Sequence, residues 1–408
     1  MRILILAPGL PHPPIWGFGI RVNQFLRLLA RRNSVALLTY EEPGEEEKVR
    51  AVAELGVEVH TVPRPALTER AKRTEQLSSI FSADSYQRRS VYSRAMQSRL
   101  GDLAAGRDVI QIESSQLAGF TFPPGPLVVL DEHNIEHELL YRMYQTEGSP
   151  ARRLYNWLEF AKVRREEIAS WSRVSGCVMT SAREEAIVRT LAPQTPTLVG
   201  ANAVDVEYFR PSDQVPRPNL LVMTGLMHYR PNIDGAVYFV EQILPLILAK
   251  CPDAIFTIVG AGATDEVRRL AGANVVVTGT VPDVRPFVHE AAAFVVPLRM
   301  GGGTRLKVLE GLSMEKAVIS TSVGSEGIDV VHARDLLIAD DPQRFADAVL
   351  TVLGDRTRAA ELGRRGRELV ESRYTWESVV ELLEAFYEEL EGIRGRSRPR
   401  VGVANGAR

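Results

Sequence analysis

Apolar and polar positions follow a strand, helix, strand order that occurs twice along the chain. The first occurrence has an apolar strand at 3–7, a helical apolar period at 22–29 and a strand at 35–39. The second has the same order at 220–225, 233–249 and 254–260. Such an opening is typical of a doubly wound parallel sheet. We therefore predict an α/β protein made of two Rossmann-like domains that face each other across a cleft.

Breaks in the pattern set the expected domain boundaries. A polar, proline-rich stretch at 211–218 separates the two halves, and 408 residues exceed one ordinary core. We predict an N-terminal acceptor domain at 1–210 and a C-terminal donor domain at 211–375. A helix at 376–391 is expected to cross back to the N-terminal domain, ahead of a disordered tail at 392–408. Further strands are expected at 57–62, 109–112, 127–130, 176–180, 275–278, 293–297, 317–321 and 336–338.

Composition narrows the partners and the location. The net charge is −2, with 45% hydrophobic and 25% charged residues, which is typical of a soluble globular protein and argues against nucleic acid as a partner. The two cysteines, Cys177 and Cys251, are far apart and suggest neither a disulfide nor a zinc site. No apolar segment is long enough to span a membrane. These features favour a cytoplasmic protein.

One stretch departs from that charge balance. Residues 64–107 carry nine basic side chains against four acidic ones and look polar and irregular. They form either a solvated helical face or a patch that receives an anionic lipid-linked or polymeric acceptor. The second interpretation would bring the N-terminal domain into peripheral contact with the inner face of the membrane.

The most informative segment is the glycine run at 301–303 between an apolar strand and an apolar-periodic helix. Glycine allows a ligand to approach the backbone, and free N–H groups at a helix start attract an anion. Arg305 and Lys307 add two cations to the first turn, where the helix dipole alone would favour acidic residues. A diphosphate is the ligand that this combination predicts.

Glu310 is the acidic residue of the same helix. Its angular position lies beside the apolar stripe, where a carboxylate could accept hydrogen bonds from a ribose diol. The alternative is a surface ion pair with Lys307, worth only a few tenths of a kcal/mol. The chain has no Asp-x-Asp sequence for a metal, and Asp340 and Asp341 precede a helix as a cap would. We therefore predict neither a metal nor another cofactor.

An ordered set of short motifs resembles the retaining glycosyltransferases of family 4, over nearly the whole chain. In the C-terminal half the matching segments are 259–262, 277–284, the glycine-run segment, 320–328 and 374–376. In the N-terminal half they are 17–19, 131–134 and 202–209. The resemblance implies the GT-B fold and a nucleoside diphosphate sugar as donor. The acceptor would be a glycan, a lipid-linked group or a small molecule, in polysaccharide biosynthesis.

The resemblance also assigns residues to roles. His133 follows a strand at the expected cleft and would contact the transferred sugar, and with Arg305 and Lys307 it forms the predicted catalytic set. Arg21 is expected to assist with phosphate or acceptor. The predicted donor-binding residues are Gly17, Gly19, Gly225, Arg230, Pro282, Gly301, Gly302, Gly303, Thr304, Arg305, Lys307 and Glu310.

Two positions differ from the family pattern. The family usually has two glutamates eight positions apart, and here Gly302 replaces the first while Glu310 fits the second. The family also has Arg directly after the glycine that matches Gly225 and Lys six residues later, where this chain has Leu226 and Asn232. We interpret this as a transfer of the cationic role to Arg305 and Lys307.

A metal-independent, retaining hexosyltransferase is the function that we predict. Since Gly302 offers no carboxylate nucleophile, same-face attack by the acceptor is the more economical mechanism. The alternatives are a sugar-nucleotide epimerase of the same fold and a non-catalytic nucleotide-sugar-binding protein. An NAD-dependent oxidoreductase is disfavoured because Gly260-Ala261-Gly262 lacks the third glycine of the dinucleotide fingerprint.

Overall fold

The computed structural model describes residues 1–14, 16–64, 69–300 and 305–397. They form two units, one of Met1–Gly200 together with the chain from Val380 onward, and one of Ala201–Val379. The second unit thus begins before the linker at 211–218. The reason is local, because the backbone N–H of Val204 donates to the carbonyl of Tyr374 at 2.9 Å. No described helix is long and apolar enough to cross a membrane.

The first unit contains a seven-stranded parallel sheet in the order β3-β2-β1-β4-β5-β6-β7. Its strands are β1 (Arg2–Ala7), β2 (Ser34–Glu41), β3 (Glu58–Pro63), β4 (Val109–Glu113), β5 (Leu127–Glu132), β6 (Gly176–Met179) and β7 (Thr197–Val199). The inner strand β1 is a continuous apolar run from Ile3 to Ala7, as expected when helices cover both faces of a parallel sheet. Strand order reverses between β1 and β4, and the loops after these strands form the switch point.

The helices of the first unit explain two differences from the sequence predictions. They are α1 (Gly17–Leu29), α2 (Glu46–Ala53), α3 (Glu69–Ser79), α4 (Tyr86–Val91), α5 (Arg94–Ala104), α6 (Glu136–Thr146), α7 (Pro150–Trp171), α8 (Ala182–Leu191) and most of α16 (Trp376–Ser397). The stretch that looked irregular is largely helical, because Ser85 and Ser93 cap α4 and α5. Helix α16 continues past its predicted end at 391. In this added part, Arg394 donates to the carbonyl of Gly125.

The second unit contains a six-stranded parallel sheet in the order β10-β9-β8-β11-β12-β13. The strands are β8 (Arg217–Thr224), β9 (Ile255–Val259), β10 (Val275–Gly279), β11 (Ala291–Val296), β12 (Val318–Ser320) and β13 (Leu337–Ile338). The helices are α9 (Arg230–Tyr238), α10 (Leu244–Leu248), α11 (Asp265–Arg268), α12 (Arg285–Glu290), α13 (Leu306–Ser313), α14 (Pro342–Gly354) and α15 (Arg356–Arg373). Strand order reverses between β8 and β11, so the second switch point lies after these two strands.

Helix α13 packs closely against the second sheet, as its apolar spacing predicts. Leu309, Leu312 and Ser313 are buried, while Leu306 is half-buried. At Gly311 a Cβ would lie 3.1 Å from the ring of Phe294 in β11, so the glycine permits the close contact. This packing fixes the first turn of α13 beside the switch point.

Candidate functional site

Two glycine-containing loops meet at the carboxyl ends of β8 and β9. Gly225 and Gly260 have φ values of +151° and +150°, and the Gly225 N–H donates to the carbonyl of Val259 at 3.0 Å. A Cβ on Gly260 would lie 1.8 Å from the carbonyl oxygen of Gly225. Only glycine fits both the dihedral angles and this approach. The loops therefore leave the sheet edge open beside the switch point.

Lys307 reaches this edge from the first turn of α13. Its ammonium donates to Asn232 Oδ1 at 2.6 Å, and Asn232 Nδ2 donates to the carbonyl of Leu226 at 2.9 Å. A Cβ on Gly225 would lie 2.8 Å from Lys307 Nζ. The Lys307 ammonium thus lies against Gly225, directly after β8. Its partner Asn232 occupies the position where the family pattern has a lysine.

Burial perturbs the two titratable side chains of α13 in opposite directions. Burial lowers the pKa of Lys307 to about 8, with Arg305 adding to the effect and Glu310 opposing it. Burial raises the pKa of Glu310 to about 7, against the favourable charge of Lys307. Among the described residues no hydrogen bond reaches the Glu310 carboxylate. Lys307 and Glu310 are therefore both poorly solvated in their charged forms. Such perturbed pairs of titratable groups cluster at functional sites.

Arg305 lies at the N-cap of α13 and is buried. Its Nε donates to the carbonyl of Val323 at 3.4 Å, and its Nη2 lies 3.9 Å from Glu326 Oε2. The guanidinium therefore contacts the 323–326 segment, whereas Lys307 contacts the β8 edge.

The other predicted donor-binding positions are less enclosed. Arg230 is the exposed first residue of α9, and its Nη1 lies 3.4 Å from Glu266 Oε2. Pro282 is exposed in the connection between β10 and α12. Gly301, Gly302, Gly303 and Thr304 lie outside the described residues. The described part of the predicted donor site is thus centred on Gly225, Lys307 and Glu310.

In the first unit, His133 follows β5 and approaches the end of β4. Its Nε2 lies 2.9 Å from Glu113 Oε2 and 3.7 Å from Asp131 Oδ2, and its ring centroid is 4.9 Å from that of Phe18. Burial, together with the charge of Asp131, raises the pKa of Glu113 despite the hydrogen bond to His133. The Nδ1 atom of His133 has no hydrogen-bond partner among the described residues.

A chain of hydrogen bonds holds Glu113 in place. Gln111 Nε2 donates to Glu113 Oε1 at 2.6 Å, and the Tyr387 hydroxyl of α16 donates to Gln111 Oε1. All three side chains are buried, so each polar atom needs such a partner. The last helix of the chain is therefore connected through two residues to the carboxylate that orients His133.

Arg21 is bound to Asp131 and is fully buried. Its Nε and Nη2 donate to the two carboxylate oxygens at 2.7 Å each. Burial alone would raise the pKa of Asp131, but this guanidinium lowers it below its ordinary value. Glu113, Asp131 and His133 could offer three metal ligands within 4.8 Å of one another. Because Arg21 occupies both oxygens of Asp131, the donor set fits an ion-pair network better than a metal. The assistance of Arg21 to phosphate or acceptor stays a prediction.

Gly17 and Gly19, two of the predicted donor-binding residues, lie in a helix. Helix α1 already begins at Gly17, so Gly17 and Gly19 lie in its first turn and not in a loop. A Cβ on Gly19 would lie 3.0 Å from the Trp16 indole, whereas a Cβ on Gly17 would have no neighbour within 4 Å. Gly19 accommodates Trp16, and Gly17 exposes the helix start.

Sequence reasoning missed several residues of both sites. Asn232 was noted only as the replacement of a family lysine, although it holds Lys307. Glu113 and Gln111 of β4 and Tyr387 of α16 were also missed, since this strand and this helix are far apart in the sequence. A glutamate at the carboxyl end of a buried strand could have indicated Glu113.

Two Rossmann-like units, each with polar residues at its switch point, define the class of doubly wound α/β proteins. Within that class, residues 218–355 match the family described as "Glycosyl transferases group 1". The fold resembles sucrose-phosphate synthase from Thermosynechococcus elongatus, with a TM-score of 0.70 and 17% identity over 96% of this chain and 100% of that one. It also resembles Anabaena HepE in complex with UDP and glucose, with a TM-score of 0.67 and 12% identity over 95% and 99% of the two chains. The structure thus has the GT-B fold, and its 218–355 part matches a glycosyltransferase family.

A curated relative matches part of the chain. A "GDP-mannose-dependent alpha-(1-6)-phosphatidylinositol monomannoside mannosyltransferase" from Mycobacterium tuberculosis is 31% identical over 210 residues, which is 45% of this chain and 53% of that protein. The chain spans about half the length of the curated relatives that it matches.

Proposed function

We propose that this protein transfers a hexose from a nucleoside diphosphate sugar to a hydroxyl acceptor with retention of anomeric configuration. The observation that carries the proposal is the Lys307–Glu310 pair in α13. A cation beside Gly225 suits the diphosphate, and a carboxyl group without a described partner suits the ribose diol. The names of the relatives support this donor class, since one is GDP-mannose-dependent and another structure contains UDP and glucose.

Lys307 would stabilise the leaving diphosphate. Breaking the bond between the anomeric carbon and the phosphate oxygen leaves negative charge on that oxygen, and a positioned ammonium lowers the energy of this charge. A bound diphosphate favours the protonated lysine and thus offsets the desolvation that lowers its pKa to about 8. Asn232 is a positioning residue, because it holds the ammonium at Gly225. Arg305, at the N-cap of the same helix, would add positive charge to the site from a greater distance than Lys307.

His133 would hydrogen-bond a sugar or acceptor hydroxyl through Nδ1. Glu113 binds Nε2 at 2.9 Å and thereby fixes the ring and its tautomer. Glu113 therefore acts through His133 as a positioning residue, while Gln111 and Tyr387 keep it in place.

Same-face attack is the mechanism that we propose for retention. The acceptor oxygen forms a bond to the anomeric carbon as the bond to the phosphate oxygen breaks, and the acceptor proton passes to that leaving oxygen. Double displacement would need a carboxylate nucleophile, and Gly302 stands where the family has a glutamate. We propose no metal, since Lys307 and Arg305 supply positive charge near the diphosphate.

Turnover of UDP-, GDP-, ADP- and TDP-hexoses with a panel of hydroxyl acceptors tests the proposal. We expect one donor class to release its nucleoside diphosphate only when an acceptor is present, without added metal. Proton NMR of the product should show the anomeric configuration of the donor. An inverted product would contradict retention. Conversion of a sugar nucleotide without acceptor would indicate an epimerase, and donor binding without turnover would indicate a binding protein.

A further inference from the structure

Helix α7 of the first unit turns its three carboxylates inward. Glu159, Glu166 and Glu167 are buried, and they accept hydrogen bonds from backbone N–H groups at the starts of two neighbouring helices. Glu166 accepts from the N–H of Ser85 at 2.7 Å, and Glu167 accepts from the N–H groups of Glu136 and His137 at 2.8 and 2.9 Å. These acids thus stabilise free helix N-termini and contribute no negative charge to the outer surface.

The opposite face of α7 is cationic and apolar. From residue 153 onward, at 100° per residue, the exposed positions lie on one side of the helix and the buried glutamates on the other. The exposed residues of this outer face are Arg153, Leu154, Trp157, Ala161, Arg164 and Arg165. Leu154 and Trp157 are 58% and 45% exposed. None of the three arginines has an ion-pair partner among the described carboxylates.

Neighbouring segments extend this face with further exposed apolar side chains. Arg165 donates to the carbonyl of Ala83, which places the 79–86 segment and its 93% exposed Phe81 along α7. On the other flank, Arg153 lies over the Tyr144 ring of α6 at 5.0 Å, and Met143 of α6 is 54% exposed. We call the exposed residues of α7 together with Phe81 and Met143 the α7 face.

We propose that the α7 face docks on an anionic lipid surface. Arginines attract acidic headgroups, while tryptophan, leucine, phenylalanine and methionine gain by entering the boundary with the acyl chains. The exposed Leu154 and Met143 would gain little from a nucleic acid, whereas both gain by entering a lipid surface. The overall charge of −2 likewise gives no general attraction to polyanions.

This location differs from the one that the basic stretch at 64–107 suggested. Several cations of that stretch pair with acids of the same unit, at 3.4 Å for Arg64 with Glu42, 3.7 Å for Arg88 with Glu166 and 3.1 Å for Arg107 with Glu58. On the exposed side of α7, Arg153, Arg164 and Arg165 have no ion-pair partner among the described carboxylates and lie beside exposed apolar side chains.

Co-sedimentation of the full chain with phosphatidylcholine vesicles, with and without about a third of phosphatidylglycerol, tests the proposal. We expect partitioning onto the anionic vesicles that weakens with added salt. Replacing Arg153, Arg164 and Arg165 together by Gln should weaken it roughly 100-fold, at about 1 kcal/mol for each cation. Phe81→Ser combined with Trp157→Ser should also weaken it, through lost insertion.

Controls separate a specific face from general charge and from misfolding. Arg344, Arg358 and Arg364 are exposed on helices of the second unit, and their triple replacement by Gln should leave vesicle binding unchanged. All variants should keep the unfolding temperature and nucleoside diphosphate affinity of the parent. Equal binding to neutral and anionic vesicles would overturn the proposal. So would undiminished binding of the α7 triple variant, or tighter binding to single-stranded nucleic acid than to vesicles.

Discussion

At the residue scale, one hydrogen bond gives the predicted donor site its shape. Lys307 donates to Asn232 and lies at Gly225. The cation that was expected in the glycine-run helix therefore lies at the carboxyl end of β8. The sequence predicted the residue types of this site, because the position of Lys307 in the first turn after glycines is a local property. It did not predict the partner of Lys307, since position 232 lies 75 residues earlier in the chain. Burial and the resulting pKa shifts were likewise invisible before the packing was known.

The perturbed pKa of Lys307 predicts a pH dependence of nucleotide binding. The pKa lies at about 8, so the free lysine loses its proton as the pH rises through that value. Affinity for a nucleoside diphosphate should therefore fall by up to about tenfold per pH unit above the pKa, because only the ammonium form binds the phosphates well. Titration calorimetry from about pH 7.5 to about pH 9.5 measures this, with Lys307→Arg as the permanently charged control. A flat profile for the parent would remove Lys307 from the diphosphate site.

At the scale of elements, apolar runs predicted the strands well and the helix starts less well. Strands such as β1 and β11 are buried on both faces, so continuous hydrophobicity marks them directly. Helix α1 starts at Gly17, five residues before the helical apolar period that begins at residue 22. Helix α9 begins at Arg230, before its apolar spacing becomes regular, because Pro231 fits the first turn. Such starts depend on packing, which local propensity does not encode.

The contact between the β8 and β9 loops predicts a sharp stability difference between two glycines. Gly260→Ala places a Cβ where the carbonyl oxygen of Gly225 lies, at a φ of +150°, and should cost more than about 2 kcal/mol in the free energy of unfolding. Gly354→Ala, at the end of α14 with nothing within 4 Å of the new Cβ, should stay within about 0.5 kcal/mol of the parent. Urea unfolding followed by circular dichroism compares the two variants. Equal free energies of unfolding would show that the loops do not touch as described.

At the scale of the whole molecule, two repeated strand, helix, strand openings were enough to predict two parallel sheets with reversed strand order. Both sheets have that order, and the switch points lie after β1 and β4 and after β8 and β11. The sequence could not predict the network from Tyr387 to His133, because it joins the end of the chain to two inner strands. It also could not separate the inward acids of α7 from its outward arginines, since both follow from how α7 packs.

Calorimetric titration of the parent and of Lys307→Met with a nucleoside diphosphate and its unphosphorylated nucleoside tests the central claim most directly. The account predicts that Lys307→Met loses about 10- to 100-fold in diphosphate affinity, the value of a hydrogen bond to a charged group. Nucleoside affinity should be unchanged by that variant and reduced by Glu310→Gln, which weakens the acceptor for the ribose. An exposed control, Lys250→Met, should leave both affinities intact. Unchanged diphosphate affinity in Lys307→Met, in a variant that unfolds at the temperature of the parent, would contradict the account.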